Sequence, residues 1–450
     1  MCFTHRFIQT VFRDILVYTM KVRSLLTKTG LVAGFIATLA GIVLLTAYLS
    51  ISRSPLSPAL SLLSAQGRVE SFRDLGQHLP SVPVTAGTRT HEFAESHPNQ
   101  SMSFTLPESF VVENEEFDTG EFVSESTTTT LLVVHENTIV YERYFRGYDR
   151  HDRPTSWSMA KSFVSPLIGQ AVERGDIRSI DDRVTEYAPE LAESGYEDVT
   201  IRDALTMSSG VQFSETYWNP FADVYRMPVL ALLRGGSIRD YIVDLESRRE
   251  PGTYHDYISS DTVVLSWVLE EATEERYARL LERDLWQPAG MESDATVNVD
   301  STGTPFASFG INATARDYAR FGLLYLNDGR MDGRQVVPGD WVRRSVVPEA
   351  PHLQPGWDNP LSCCPSGYGY HWWIPPQPDN DFAAMGIFGQ MIYVHRPSRT
   401  VIVKTGAGYR NAAHDIRATR ALFRRIVVEL TGDEAGGVRP ERQPCERSGT

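Results

Sequence analysis

Lysine is scarce in this chain. Of 43 basic residues among 450, only Lys21, Lys28, Lys161 and Lys404 are lysines, and the rest are arginine. Arginine supplies charge as well as lysine does but keeps its proton, whereas a desolvated lysine can act as a base. Lys161 closes the run Trp157-Ser158-Met159-Ala160-Lys161. Positions three apart share a helix face, so hydroxyl and amine meet one turn apart. The positive helix end lowers the lysine pKa and favours anionic character on Ser158. Such a pair suits nucleophilic catalysis, because a serine hydroxyl attacks poorly until a neighbour takes its proton. The competing reading is an N-capping serine beside a solvated lysine.

The elements that must position this pair follow from periodicity and punctuation. Thr129 to Val134 and Thr138 to Phe145 are β-rich runs around the turn His135-Glu136-Asn137. Helices are predicted from Ser158 to Arg174, Ile201 to Ser208, Thr262 to Ala272, Arg276 to Trp286, Ala315 to Asn327 and Ala413 to Leu430. Gly175, Gly210 and Gly329 stop three of them. Thr200 with Asp203, and Thr314 with Asp317, have the spacing of a capping box. Phe382 to Ile387, Met391 to His395 and Thr400 to Thr405 read as strands. Strands at both ends with helices between predict an α+β fold whose first and last strands pair.

Composition bounds the function. The formal charge is −14, with basic residues clustered only before residue 54, so a phosphate-tracking groove is excluded and no nucleic-acid partner is expected. Four cysteines exclude a disulfide-stapled scaffold. Histidines and cysteines show no metal-ligand spacing, so neither metal nor cofactor is expected. Gly30 to Ser50 is an uncharged apolar run, about 32 Å long as a helix and long enough to span a bilayer. Arg23 and Lys28 precede it, which keeps the N-terminus cytoplasmic and sends the rest outward. The organisation expected is a cytoplasmic tail (1–29), a transmembrane signal-anchor (30–50), a stalk (51–105), a catalytic domain (106–431) and a disordered tail (432–450). A cleaved signal peptide is the alternative for the apolar run, and Met20 is an alternative start.

Several blocks in order carry a family likeness. They are Ser158 to Lys161, Gly175-Asp176-Ile177, Tyr187-Ala188-Pro189-Glu190-Leu191, Asp203 to Gly210, Tyr257-Ile258-Ser259-Ser260-Asp261 and Asn312 to Gly322. Together they resemble the serine β-lactamase-related superfamily, in its class C and family VIII esterase branch, with the 6-aminohexanoate-dimer hydrolase-like members nearest. The likeness covers roughly Thr130 to Leu430. It implies a β-lactamase/transpeptidase-like fold, an antiparallel sheet flanked by helices with a helical insertion. It implies a serine hydrolase that cleaves a small ester, amide or peptide without a cofactor. Ser158 would be the nucleophile, Lys161 the general base and Tyr257 the phenol of the second motif. Ser259 stands where many relatives have Asn.

The same likeness bears on the third motif. Lys404-Thr405-Gly406 spells Lys-Thr-Gly but leads into a helix without a return strand, so Lys404 is expected at the surface of a strand end. Ala384-Met385-Gly386 is followed by a turn and a strand, as in relatives. The oxyanion hole would then combine the backbone N–H groups of Ser158 and Ile387. Met385, Gly386 and Ser259 would face substrate, as would Glu215, Tyr217 and Asp223 on the loop after Gly210. Tyr370, His371, Trp372 and Trp373 are further aromatic candidates. His255 reads as a loop residue. Cys363 and Cys364 are adjacent, and one of them could pair with Cys445. The rival reading is a non-catalytic ectodomain that binds peptide or cell-wall ligands.

Overall fold

The computed structural model describes residues 64–95, 104–233, 235–408 and 412–432. The apolar run 30–50, both predicted tails apart from Gly432, and Cys445 lie outside the described residues. Among the described residues no helix is long and apolar enough to cross a membrane.

One large sheet organises the described residues from Ala65 onward. Its strands are β1 (Ala94–Glu95), β2 (Thr128–His135), β3 (Thr138–Tyr144), β4 (Gly367–Tyr368), β5 (Trp373–Ile374), β6 (Asp381–Gly386), β7 (Gln390–His395) and β8 (Thr400–Gly406). The spatial order is β4-β5-β6-β7-β8-β2-β3-β1, and neighbours run antiparallel except β1 beside β3. The predicted pairing of the first and last strands is borne out, because β8 lies against β2 with Ile402 opposite Val133. The β2–β3 turn places both Glu136 and Asn137 at positive φ, the geometry that two-residue hairpins favour.

Alternate residues of the central strands enter two different cores. Leu132, Val134, Ile392, Val394, Val401 and Val403 meet one set of helices. These are α1 (Lys161–Arg174), α2 (Ser259–Thr273) and α3 (Ala315–Leu326). Leu131, Val133, Tyr393 and Ile402 face α4 (Ala412–Thr431), through Leu422, Phe423 and Ile426. Burying each such side chain contributes about 1.5–3 kcal/mol. Both faces are covered, so β8 is buried along its length and β2 up to its last residue, with no alternation of buried and exposed positions. Gly175 ends α1 at φ 80°, and Thr200 and Thr314 cap their helices as predicted.

Two expectations are corrected. Part of the segment expected as a stalk is folded: residues 65–95 hold a helix at Ala65–Ser71 and a strand at Ser81–Val84 paired with Ala295–Asn298. Val69, Phe72, Leu75 and Val84 are buried. Their partners lie far away in sequence, so no local periodicity announces them. Lys404 is not at the surface. It is 1% exposed on β8, a middle strand whose outer face α4 covers.

Candidate active site

Ser158 sits in a single 3-10 turn, Trp157–Ala160, that feeds directly into α1. The residue before it, Trp157, has φ 45°, uncommon for a bulky side chain. Its ring is held by Phe72, Phe309 and Phe388, with centroids 5.0, 6.0 and 5.3 Å away. The sharp turn presents the serine hydroxyl at the floor of a cleft of about 850 Å³.

Lys161 lies one turn on and is almost fully buried. Its Nζ donates to Ser158 Oγ at 3.1 Å, Ser259 Oγ at 3.0 Å and the Ser308 carbonyl at 3.0 Å, which uses all three ammonium protons. Burial lowers its pKa to about 8, against the opposing charges of Glu215 and Asp261. A solvated lysine beside a capping serine is thereby excluded. Tyr257 lines the same cleft as Ser158. Its ring lies 5.0 Å from Lys161 Nζ and packs on Trp373 at 4.9 Å. Burial and the charge of Glu215 push the phenol well above its usual pKa.

Ser259 opens α2. Its hydroxyl accepts from Lys161 and passes a hydrogen bond to Glu215 Oε1 at 2.7 Å. The Ser259 backbone N–H donates to the other Glu215 oxygen at 2.9 Å, and the Tyr217 hydroxyl donates to Oε1 at 2.7 Å. Glu215 is therefore a brace beneath the lysine. Asp223 is committed as well, accepting from the Ser214 backbone and Tyr241 and pairing with Arg226. Both carboxylates line the cleft, and each also accepts hydrogen bonds from its neighbours.

Gly386 ends β6 directly against Ser158. A Cβ there would stand 2.6 Å from the Ser156 carbonyl oxygen and 3.0 Å from the Ser158 backbone nitrogen. Ile387 follows, beyond the last β6–β7 pair at Gly386 and Gln390, and with Met385 it lines the cleft. The turn Ile387–Gly389 and return strand β7 match the predicted third motif. Lys404 belongs to the opposite face, its Nζ 3.5 Å from the Gly389 carbonyl.

Other residues divide clearly. His255 is buried, held to about pKa 3 by desolvation, and its Nδ1 meets Ser362 at 2.9 Å, so its ring is engaged away from the serine. Among the aromatic candidates Trp373 lines the cleft, whereas Tyr370 and Trp372 are packed in the core and His371 is buried beside Thr262. Sequence reasoning missed the Ser308 carbonyl, for a backbone acceptor leaves no residue-type signal, and it missed Arg248, Trp357 and Arg420, which line the cleft. Cys363 and Cys364 also line it, with free thiols. Among the described residues no cluster could hold a metal ion.

Comparison with known proteins agrees with this geometry. Residues 125–423 match the family described as Beta-lactamase. A 6-aminohexanoate-dimer hydrolase from Paenarthrobacter ureafaciens is 31% identical over 293 residues, covering 64% of this chain and 74% of that protein. The solved structure of a "Putative 6-aminohexanoate-dimer hydrolase from Bacillus anthracis" superposes with a TM-score of 0.70 at 24% identity, over 81% of this chain and 94% of that one. The octameric penicillin-binding protein homologue from Pyrococcus abyssi shares the fold at a TM-score of 0.54 and 18% identity, over 70% and 76% of the two chains. This chain belongs to the β-lactamase family and is a serine hydrolase.

Proposed function

We propose that the chain cleaves small esters or amides through an acyl-enzyme on Ser158. The observation that carries the reading is the buried Lys161 amine 3.1 Å from the Ser158 hydroxyl. As the neutral amine, Lys161 takes the serine proton while Ser158 Oγ attacks the substrate carbonyl. The N–H groups of Ser158 and Ile387 stabilise the developing oxyanion. Tyr257, held protonated by burial, delivers a proton to the leaving alcohol or amine. Water then attacks the ester of Ser158, with the Lys161/Tyr257 pair accepting its proton, and the acid product leaves. No cofactor is needed.

The hydrolase from Paenarthrobacter ureafaciens, named for the 6-aminohexanoate dimer, supports an amide substrate. Met385 at the cleft wall offers neither charge nor hydrogen bond and favours neutral acyl groups. In the same reading residues 30–50 anchor the chain and place the hydrolase domain outside the cytoplasm. The support is the uncharged run behind Arg23 and Lys28, and protease accessibility in intact cells tests it.

The test of the activity is turnover of short-chain p-nitrophenyl esters, a linear 6-aminohexanoate dimer and a chromogenic cephalosporin. Lys161→Arg keeps the charge but cannot accept the proton, so it should lose about 10²–10⁴-fold, nearly as much as Lys161→Ala. Retained turnover in the arginine variant would reduce Lys161 to a fixed charge.

A further inference from the structure

Cys363 and Cys364 lie on the wall of the same cleft as Ser158. Their Sγ atoms are 2.8 Å apart, and Cys363 is exposed. The loop that carries them is stapled to the segment that carries Tyr257. Cys363 N–H donates to the His255 carbonyl at 2.9 Å, and Ser362 Oγ contacts His255 Nδ1 at 2.9 Å. The cysteine loop is therefore tied to the backbone two residues before Tyr257, which lines the cleft with Ser158.

We propose that Cys363 and Cys364 form a reversible vicinal disulfide that sets the position of Tyr257 and so the turnover of the cleft. The inference rests on the reading of this cleft as the active site. Adjacent Cα atoms are about 3.8 Å apart, closer than the 4.4–6.8 Å usual across a disulfide. A bridge between neighbours is consequently strained and easily reduced, which is the character of a labile disulfide. Exposure admits an external oxidant. The hydrogen bond from Cys364 lowers the Cys363 thiol pKa, while Cys364 is raised by the same contact. Cys363, the exposed member of the pair, is the attacking thiol, which reacts as its thiolate.

The step balances with a small-molecule disulfide as oxidant. Cys363 thiolate attacks oxidised glutathione, breaking its S–S bond and releasing one glutathione thiolate. Cys364 loses its proton and displaces the second glutathione from the mixed disulfide. One protein S–S bond forms, two S–H bonds are lost, and two electrons pass to glutathione. Closing the ring twists the Cys363–Cys364 backbone, pulls the Cys363 N–H off the His255 carbonyl and so shifts the segment that carries Tyr257.

The test equilibrates the full chain in glutathione buffers from reduced to oxidised and reads two quantities. Peptide mapping by mass spectrometry should find one peptide with Cys363 and Cys364 joined, two hydrogen atoms lighter, and reversed by reduced glutathione. Ester turnover by the oxidised form should fall on the order of tenfold, a barrier change of about 1.4 kcal/mol. The Cys363→Ser/Cys364→Ser double variant should lose this redox response, and Cys445→Ser should keep it. Pairing of either cysteine with Cys445 or with another molecule, a stable glutathione adduct, or an unchanged kcat/KM in the mapped disulfide form would each overturn the proposal. Failure of the active-site reading is separate, for then Ser158→Ala would retain turnover whatever the cysteines do.

Discussion

Trp157 and Phe388 both take the left-handed conformation, at φ 45° and 65°, and their rings touch at 5.3 Å. One precedes the nucleophile and the other follows Ile387, so the two sides of the proposed oxyanion hole are each held by an unfavourable backbone angle. Such conformations cost on the order of 1–3 kcal/mol each and persist only where packing enforces them. Phe72 supplies that packing, with centroids 5.0 Å from Trp157 and 5.1 Å from Phe388.

Phe72→Ala should therefore affect both stability and catalysis. Phe72 is 2% exposed, and a buried Phe→Ala change costs about 3–5 kcal/mol. Urea unfolding measures that loss. In the protein that remains folded, kcat should fall more than KM rises. A destabilised variant with wild-type kcat would show that the two turns hold themselves.

Gly386→Ala probes the same contact from the strand side. The added methyl meets backbone atoms of Ser156 and Ser158 at 2.6 and 3.0 Å, and backbone cannot swing aside as a flexible side chain can. Moving Ile387 N–H off the oxyanion position should cost about 10²–10³-fold in kcat. Steady-state kinetics on a p-nitrophenyl ester checks it.

The pH profile follows from Lys161. The base must be neutral, so kcat/KM should rise with pH through about 8, the value to which burial lowers the amine. Glu215 opposes that lowering. Glu215→Gln removes the opposing charge, so the rising limb should move to lower pH, whereas a merely structural effect would reduce the rate without moving the limb.

Lys404 provides a control and a stability prediction. Burial lowers it to about 8 as well, with Asp415 opposing. Both lysines are depressed from an ordinary 10.5, so between about pH 8 and 10 the unfolded chain binds more protons and stability rises with pH. Lys404→Met should flatten that rise in thermal unfolding and leave the kinetic limb in place. Loss of the limb in Lys404→Met would give Lys404 a catalytic part.

The contact of Ser158 with Lys161 and the pairing of the first and last strands were legible in the sequence, because they depend on a short spacing and on β-rich runs. Ser158, Lys161 and the run Thr129 to Val134 are of that kind. Contacts between distant segments were not legible. The position of Phe72 against Trp157 joins residues 85 positions apart, across a stretch rich in Ser, Pro and Gly. The direction of the Lys404 side chain was hidden for another reason, since β8 is buried on both faces and its pattern has no polar side to read. Glu215 and Asp223 line the cleft, but the sequence did not show the hydrogen bonds that their carboxylates accept.

The central claim is that Ser158 carries the acyl group. Brief quenching of the full chain with a slowly released p-nitrophenyl ester, followed by peptide mass spectrometry, reads this directly. The acyl mass should appear on the peptide containing Ser158, disappear in Ser158→Ala, and decay more slowly in Tyr257→Phe. An acyl group mapped to any other residue, or turnover surviving in Ser158→Ala, would contradict the account.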